Sequence, residues 1–471
     1  APWETVDLRG EADIDSVRRQ VRDIAEQQTR TRFDVSGAPL IRFTFVRLPD
    51  DSCTLIITNH HLLADGWSTP LMMAELFAGY GEIDVTAPAP SYRTFLDWVA
   101  RSDAAAGQQA WREFLAAATG PTLLATNRRG DTGGASVDHH ETLGAELTAA
   151  LSRVSRELEV TTAVLLQFAW AVLLHKLTGE DTVVFGETVS GRPPELDGAD
   201  TMIGLLINTL PVAVTVDDDR PIADALTDLA ARKATVLDHQ HLSLTDIATA
   251  AGLGELFDTL VVYESYPVDA EGLAAAGDQL GVEVTDVRAA DATHYPLSLV
   301  AAPAARDGRA ELDVTLKYLP GLFDEADVVT LAQRYRRILE ALAADPTVAV
   351  GDMSILEPAE RAELVPMVSA PAVEPVVLAE LFTAAAAQAP DTVAVVDAFG
   401  VELSYAELDE ASNRLARWLV GRGVGAGDVV ALAIPRSAGL VVAVWAVAKA
   451  GAGYVPVDPE YPADRIAHIV A

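Results

Sequence analysis

One cysteine, Cys53, occurs in 471 residues. That excludes a disulfide framework within the chain and a cysteine metal cluster, and it fits a reducing, cytoplasmic setting. Cys53 adjoins the apolar run TLIIT (54–58) and reads as a small buried hydrophobe. Basic residues are also scarce: 34 Lys and Arg stand against 69 Asp and Glu, a net charge of −35. Such a surface repels phosphate backbones and anionic headgroups, so nucleic acid and membranes are poor partners. No uncharged apolar run reaches the roughly 20 residues of a membrane helix. The opening APWETVDLRG lacks the basic start and apolar stretch of a secretory leader. A G-x-x-x-x-G-K-[ST] phosphate loop and a G-x-S-x-G nucleophile elbow are both absent. The chain begins with Ala and ends inside the helical pattern RIAHIVA, so it reads as a piece cut at both ends.

Half of the residues are hydrophobic, and the length exceeds what one core serves, so at least two domains are expected. Residues 12–29 carry Ile14, Val17, Val21 and Ile24 at helical spacing. Residues 39–50 alternate as a strand, and 53–58 read as a strand apolar on both faces, interior to a sheet. Helices follow over 69–81 and 92–117. The polar, Gly-containing stretch 126–136 marks a boundary. Beyond it strands and helices intermix, with a long apolar helix over 161–179, which gives an α/β class. Residues 357–376 read as a linker with a short helix, and a new unit starts near Val377.

The segment NHHLLADGWS (59–68) is where chemistry concentrates. Adjacent residues at a strand end point in opposite directions, so one ring of His60-His61 faces a cleft and the other the core. An imidazole with an ordinary pKa of about 6.5 is largely neutral at pH 7 and can accept a proton. Asp65 can hold the turn, and Ser68 can cap the next helix. A purely structural histidine pair stays open on residue types alone. A metal site is disfavoured, because adjacency parts the rings and no third ligand is evident.

His60-His61-Leu-Leu-Ala-Asp65-Gly66 resembles the HHxxxDG motif of nonribosomal peptide synthetase condensation domains. YRTFLDW (92–98), IGLLINTLPV (203–212), DHQHLSL (238–244) and LFDTLVVYESYP (256–267) resemble further motifs of that family, in order. Thr94 stands for the family's Asp, and Glu264 for its usual Asn. LSYAEL (403–408) and AKAGAGYVPVDPEYP (448–462) resemble the first two core motifs of an adenylation (AMP-binding) domain. The resemblance implies two chloramphenicol-acetyltransferase-like lobes forming a V around a tunnel, followed by a truncated N-terminal part of an adenylate-forming domain. Residues 1–125 would be an N-terminally truncated first lobe, 126–356 the second lobe, 357–376 a linker and 377–471 the adenylation part. The family's Ser/Thr/Gly/Lys phosphate loop would lie beyond Ala471, so this part is not expected to activate an amino acid.

The implied reaction is amide-bond formation, in which a carrier-bound aminoacyl amine attacks a carrier-bound acyl or peptidyl thioester. No cofactor would be bound directly. The 4′-phosphopantetheine sits on upstream and downstream carrier proteins, and ATP with Mg serves only a complete adenylation domain. His61 would orient the amine and take its proton, and the Gly66 N–H would steady the oxyanion. His60 and Asp65 would support the site, while Trp67, Ser68 and Asn208 would line the tunnel. The arginine that pairs with Asp65 in the family would lie upstream of Ala1, leaving Asp65 without it. The alternatives are an epimerisation domain, which shares HHxxxDG, and a non-catalytic carrier-docking platform. GLLINTLPV and HHLLADGWS look closer to the subtype that takes a donor ending in a D-residue. His294 is a further tunnel candidate; His139, His140, His175 and His468 read as structural.

Overall fold

The computed structural model describes residues 1–81, 89–125, 136–264, 281–288, 293–364 and 376–470. It divides into two compact units, Ala1–Arg361 and Ala362–Ala471.

The first unit opens with β1 (Trp3–Asp7), α1 (Ile14–Arg30), β2 (Ile41–Arg47) and β3 (Cys53–Asn59). The strands form a three-stranded sheet in the order β1-β2-β3, with β1 parallel and β3 antiparallel to the central β2. Helix α1 starts where the Asp13 carboxylate accepts the Asp15 N–H. Two expectations fail here. Among the described residues β3 is an edge strand, not an interior one, and Cys53 at its start is exposed. The apolar run correctly signals extended backbone, but its residues are half-buried because β2 occupies the centre.

Next come α2 (Ser68–Tyr80), α3 (Tyr92–Arg101) and α4 (Ala104–Phe114). The single helix expected over 92–117 is two. Asp103 ends the first run and caps the second, accepting the Ala105 and Ala106 N–H groups at 3.0 Å. The boundary loop expected at 126–136 falls almost wholly outside the described residues.

The larger sheet comprises β4 (Val137–Leu143), β5 (Thr182–Val189), β6 (Asn208–Thr215), β7 (Thr259–Tyr263), β8 (Leu297–Arg306) and β9 (Arg309–Tyr318). Its order is β4-β9-β8-β7-β5-β6, with β7 parallel to both neighbours and the outer pairs antiparallel. One face is covered by α5 (Ala145–Glu157), α6 (Thr162–Thr178), α7 (Ile222–Ala234) and α9 (Glu325–Ala344). Against the other pack α4, through Trp111 and Phe114, and α8 (Leu244–Ala251), through Ile247. Helix α6 is apolar all round because Val164–Leu174 is buried without a break. No single described helix is long and apolar enough to cross a membrane. A short α10 (Pro358–Leu364) closes the described part before residue 376.

The second unit contains α11 (Leu378–Gln388), an antiparallel hairpin of β10 (Val393–Val396) and β11 (Glu402–Ser404), and α12 (Tyr405–Val420). A parallel pair follows, β12 (Val429–Leu432) and β13 (Gly453–Pro456), with α13 (Ala438–Lys449) between them and α14 (Ala463–Val470) after. Ser404 and Glu407 of LSYAEL form a reciprocal capping box at the start of α12. Lys449, almost fully buried, donates to the Asp409 carboxylate at 2.6 Å and to Ser412 Oγ and Asn413 Oδ1, tying α13 to α12.

Candidate active site

β3 delivers the chain to His60, whose N–H still donates to the Leu40 carbonyl at 3.0 Å. Residues 60–63 then form a turn closed by Leu63 N–H donating to the His60 carbonyl at 2.9 Å. His60 Nδ1 accepts the Leu62 N–H at 3.0 Å, and its ring meets Phe33 edge-on at 6.3 Å. So His60 is half-buried and committed to the fold, whereas His61 is exposed on the turn. Among the described residues no backbone acceptor takes the Gly66 N–H.

Asp65 is the opposite case. Its side chain has no exposed surface and faces Arg192, itself 5% exposed, at 3.0 Å. One carboxylate oxygen accepts Ser68 N–H and Ser68 Oγ–H at 2.8 and 2.7 Å; the other accepts the Leu206 and Ile207 N–H groups at 3.0 and 3.2 Å. The Asp65 N–H donates to the Gly204 carbonyl at 3.1 Å. Each acceptor position of a fully desolvated carboxylate is thus used, as burial of such a charge requires.

Arg192 corrects the expectation that the partner of Asp65 lies upstream of Ala1. It comes from GRPPEL, 127 residues downstream, and also donates to the Ala199 and Met202 carbonyls at 2.5 and 2.8 Å. Burial pulls its pKa below the ordinary guanidinium value, and the Asp65 charge opposes that pull. Gly191 makes the approach feasible: its φ is +59°, and a Cβ there would overlap the Leu206 carbonyl. The sequence's one signal for it is an arginine between a glycine and two prolines.

Ser68 does not line a tunnel and is not a helix cap. It has no exposed surface, is the first residue of α2, and exchanges hydrogen bonds with Asp65 and both Gly204 backbone groups. Asn208 is likewise spent on the chain: its amide donates to the Gln240 and Leu242 carbonyls and accepts the Thr209 N–H. Trp67 is half-buried; its indole N–H donates to the Asp200 carbonyl at 2.8 Å, and its ring stands 5.4 Å from the Arg192 guanidinium carbon. Tyr92, from YRTFLDW, donates to the Leu205 carbonyl at 2.7 Å, and burial with the Asp65 charge raises its pKa. Residues 204–207 of IGLLINTLPV are therefore clasped from Asp65, Ser68 and Tyr92 together. The structure brings Asp65, Trp67 and Ser68 to one buried knot, and leaves His61 on the exposed turn four residues before it. His294 is exposed against Tyr295. Among the described residues no group of three metal-ligating side chains occurs.

Comparison with known proteins agrees with this architecture. A family model described as a condensation domain matches residues 1–365, and one described as an AMP-binding enzyme matches 382–471. Tyrocidine synthase 2 of Brevibacillus parabrevis is 32% identical over 478 residues, covering 100% of this chain and 13% of that protein. Chondramide synthase cmdD of Chondromyces crocatus is 32% identical over 505 residues, covering 99% of this chain and 13% of its own length. The chain thus spans a small part of the curated relatives it matches. The nonribosomal peptide synthetase FmoA3 in its AMPPNP-bound form superposes with a TM-score of 0.70 at 22% identity, over 100% of this chain and 50% of its own. The chain belongs to the condensation-domain family of nonribosomal peptide synthetases, joined to the start of an AMP-binding domain.

Proposed function

We propose that residues 1–356 catalyse peptide-bond formation between two carrier-bound substrates, with His61 as the group nearest the reacting amine. The observation that carries this reading is the division of labour in HHLLADG: the turn is locked at His60 and Asp65, while His61 is left at the surface.

An α-amino group has a pKa of about 7.7–8.0, so a useful fraction is neutral near pH 8. Its nitrogen attacks the thioester carbonyl carbon, and a tetrahedral oxyanion forms. His61 takes the ammonium proton, the C–S bond breaks, and the His61 imidazolium returns that proton to the leaving thiolate, which departs as the phosphopantetheine thiol. The Gly66 N–H is the donor proposed for the oxyanion. Alignment of two tethered substrates can supply ~7–11 kcal/mol, against ~10²–10⁴-fold from a general base. His61 therefore serves orientation at least as much as basicity. Upstream and downstream carrier proteins are the partners, in a cytoplasmic setting. Residues 382–471 hold no Ser/Thr/Gly/Lys phosphate loop, so no ATP-dependent step is assigned to them.

The test loads donor and acceptor carriers, mixes them with the full-length parent polypeptide or its His61→Ala variant, and follows each carrier by intact mass. Donor mass should move to the acceptor carrier and stay put with the variant. Deuterium entering the carrier-bound α-carbon without transfer would instead establish epimerisation. Carrier binding with neither signal would establish a docking platform.

A further inference from the structure

We infer that Phe33 and Arg42 are positioning residues for His61, acting through the ring of His60; this rests on the reading of His61 above. The peptide groups on both sides of His61 are tied to His60. The carbonyl before His61 belongs to His60 and accepts the Leu63 N–H at 2.9 Å. The N–H after it belongs to Leu62 and donates to His60 Nδ1 at 3.0 Å. The rotation of the His60 ring thus sets the backbone of His61, and with it the direction of the second imidazole. An accepting Nδ1 puts the proton of the neutral His60 ring on Nε2.

The ring itself is held from behind. Phe33 meets it edge-on at 86°. The Arg42 guanidinium carbon lies 3.9 Å from the Phe33 centroid. Arg42 is immobilised in turn by Gln28 Oε1 at 3.0 Å and by the Gln28 and Thr31 carbonyls at 2.8 Å, at the end of α1. A cation stacked on an aromatic face adds attraction as well as contact. The chain of contacts runs from the end of α1 through Arg42, Phe33 and His60 to the turn, and none of these side chains needs to touch substrate.

The acceptor geometry supplies a discriminating test. Asparagine readily accepts the N–H two residues on, as in an Asx turn, and so replaces Nδ1. Glutamine places its amide nearer the position of Nε2. In the full-length parent polypeptide, Phe33→Leu and Arg42→Ala should each lower the transfer kcat roughly 10- to 100-fold, the scale of a ~1 Å misplacement, with KM for both carriers unchanged. His60→Asn should retain transfer within a few fold, and His60→Gln should lose it. Normal kcat in Phe33→Leu and Arg42→Ala, or an active His60→Gln beside an inactive His60→Asn, would each overturn the assignment while leaving the reaction intact. Absence of transfer by the unmutated protein would overturn the functional reading itself.

Discussion

The two sheets of the first unit reach the histidine turn from opposite kinds of interior. In the six-stranded sheet, Val183, Val184, Phe185, Val212 and Ala213 are sealed on both faces by helices. In the three-stranded sheet, Thr44 and Val46 are the buried strand residues, and the rest are half-buried or exposed. Yet it is the lean sheet that carries His60 and His61. What fixes the turn is therefore polar: the Asp65–Arg192 pair and the clasp on residues 204–207, both anchored to the segment that enters the well-packed sheet at β6. The motif borrows rigidity from across the unit because its own sheet offers little.

The largest effect should come from cutting that link. Asp65→Ala leaves Arg192 buried without its counter-charge, and loss of one member of a buried pair costs ~3–5 kcal/mol. Denaturant midpoints of the first unit should fall accordingly, and Arg192→Ala should fall by a similar amount. A loss under about 1 kcal/mol, the scale of an exposed pair, would show that the clasp is not what holds the turn.

The next contrast lies between the sheets. Leu166→Ala in α6, at a site with no exposed surface, should cost ~2–5 kcal/mol. Leu55→Ala in the half-buried β3 should cost less than half of that, since less apolar area leaves water on folding. Equal losses would erase the difference between the two interiors.

This contrast also explains what could be seen in advance. Period and composition are local, so α1, α6, β2, β3 and the strands of the larger sheet stand out, as does the histidine pair at a strand end, whereas the short, largely exposed β1 does not. The α3–α4 break is missed: Asp103 is an N-cap residue type, but it sits inside a long helical pattern. Arg192 is not legible, because nothing within its own stretch says that a carboxylate 127 residues earlier will need it. Ser68 and Asn208 carry residue types suited to a tunnel wall, and only packing reveals that their polar atoms are spent within the fold. Cys53 misleads for a related reason. An apolar strand reads as interior, but its place in the strand order is set by pairing with β2.

A smaller effect should appear with pH. His241 packs its ring 5.2 Å from Trp98 of α3, and neither ring nitrogen has a hydrogen-bond partner among the described residues. Burial first, then the neighbouring His239, lowers its pKa below the ordinary histidine value. A group with a depressed native pKa contributes stability that is present above its unfolded pKa and lost as pH falls through the native one. Lowering pH from 7 to 5 should therefore weaken the first unit, and His241→Leu should flatten that slope. An unchanged slope would mean that His241 reaches water in the native state.

The smallest effect belongs to the edge of the lean sheet. Cys53 is exposed at the start of β3, where it pairs with Arg47 at the far end from the histidines. Replacing an exposed side chain that supports neither packing nor the clasp should change stability by no more than ~0.5 kcal/mol. Cys53→Ser should meet that limit, and a thiol-reactive chromophore should modify the native protein at the rate of a free thiol. A strongly protected thiol, or a loss of about 2 kcal/mol on substitution, well beyond the surface range, would show that β3 is covered in solution. The contrast between the two sheets would then shrink to the polar clasp alone.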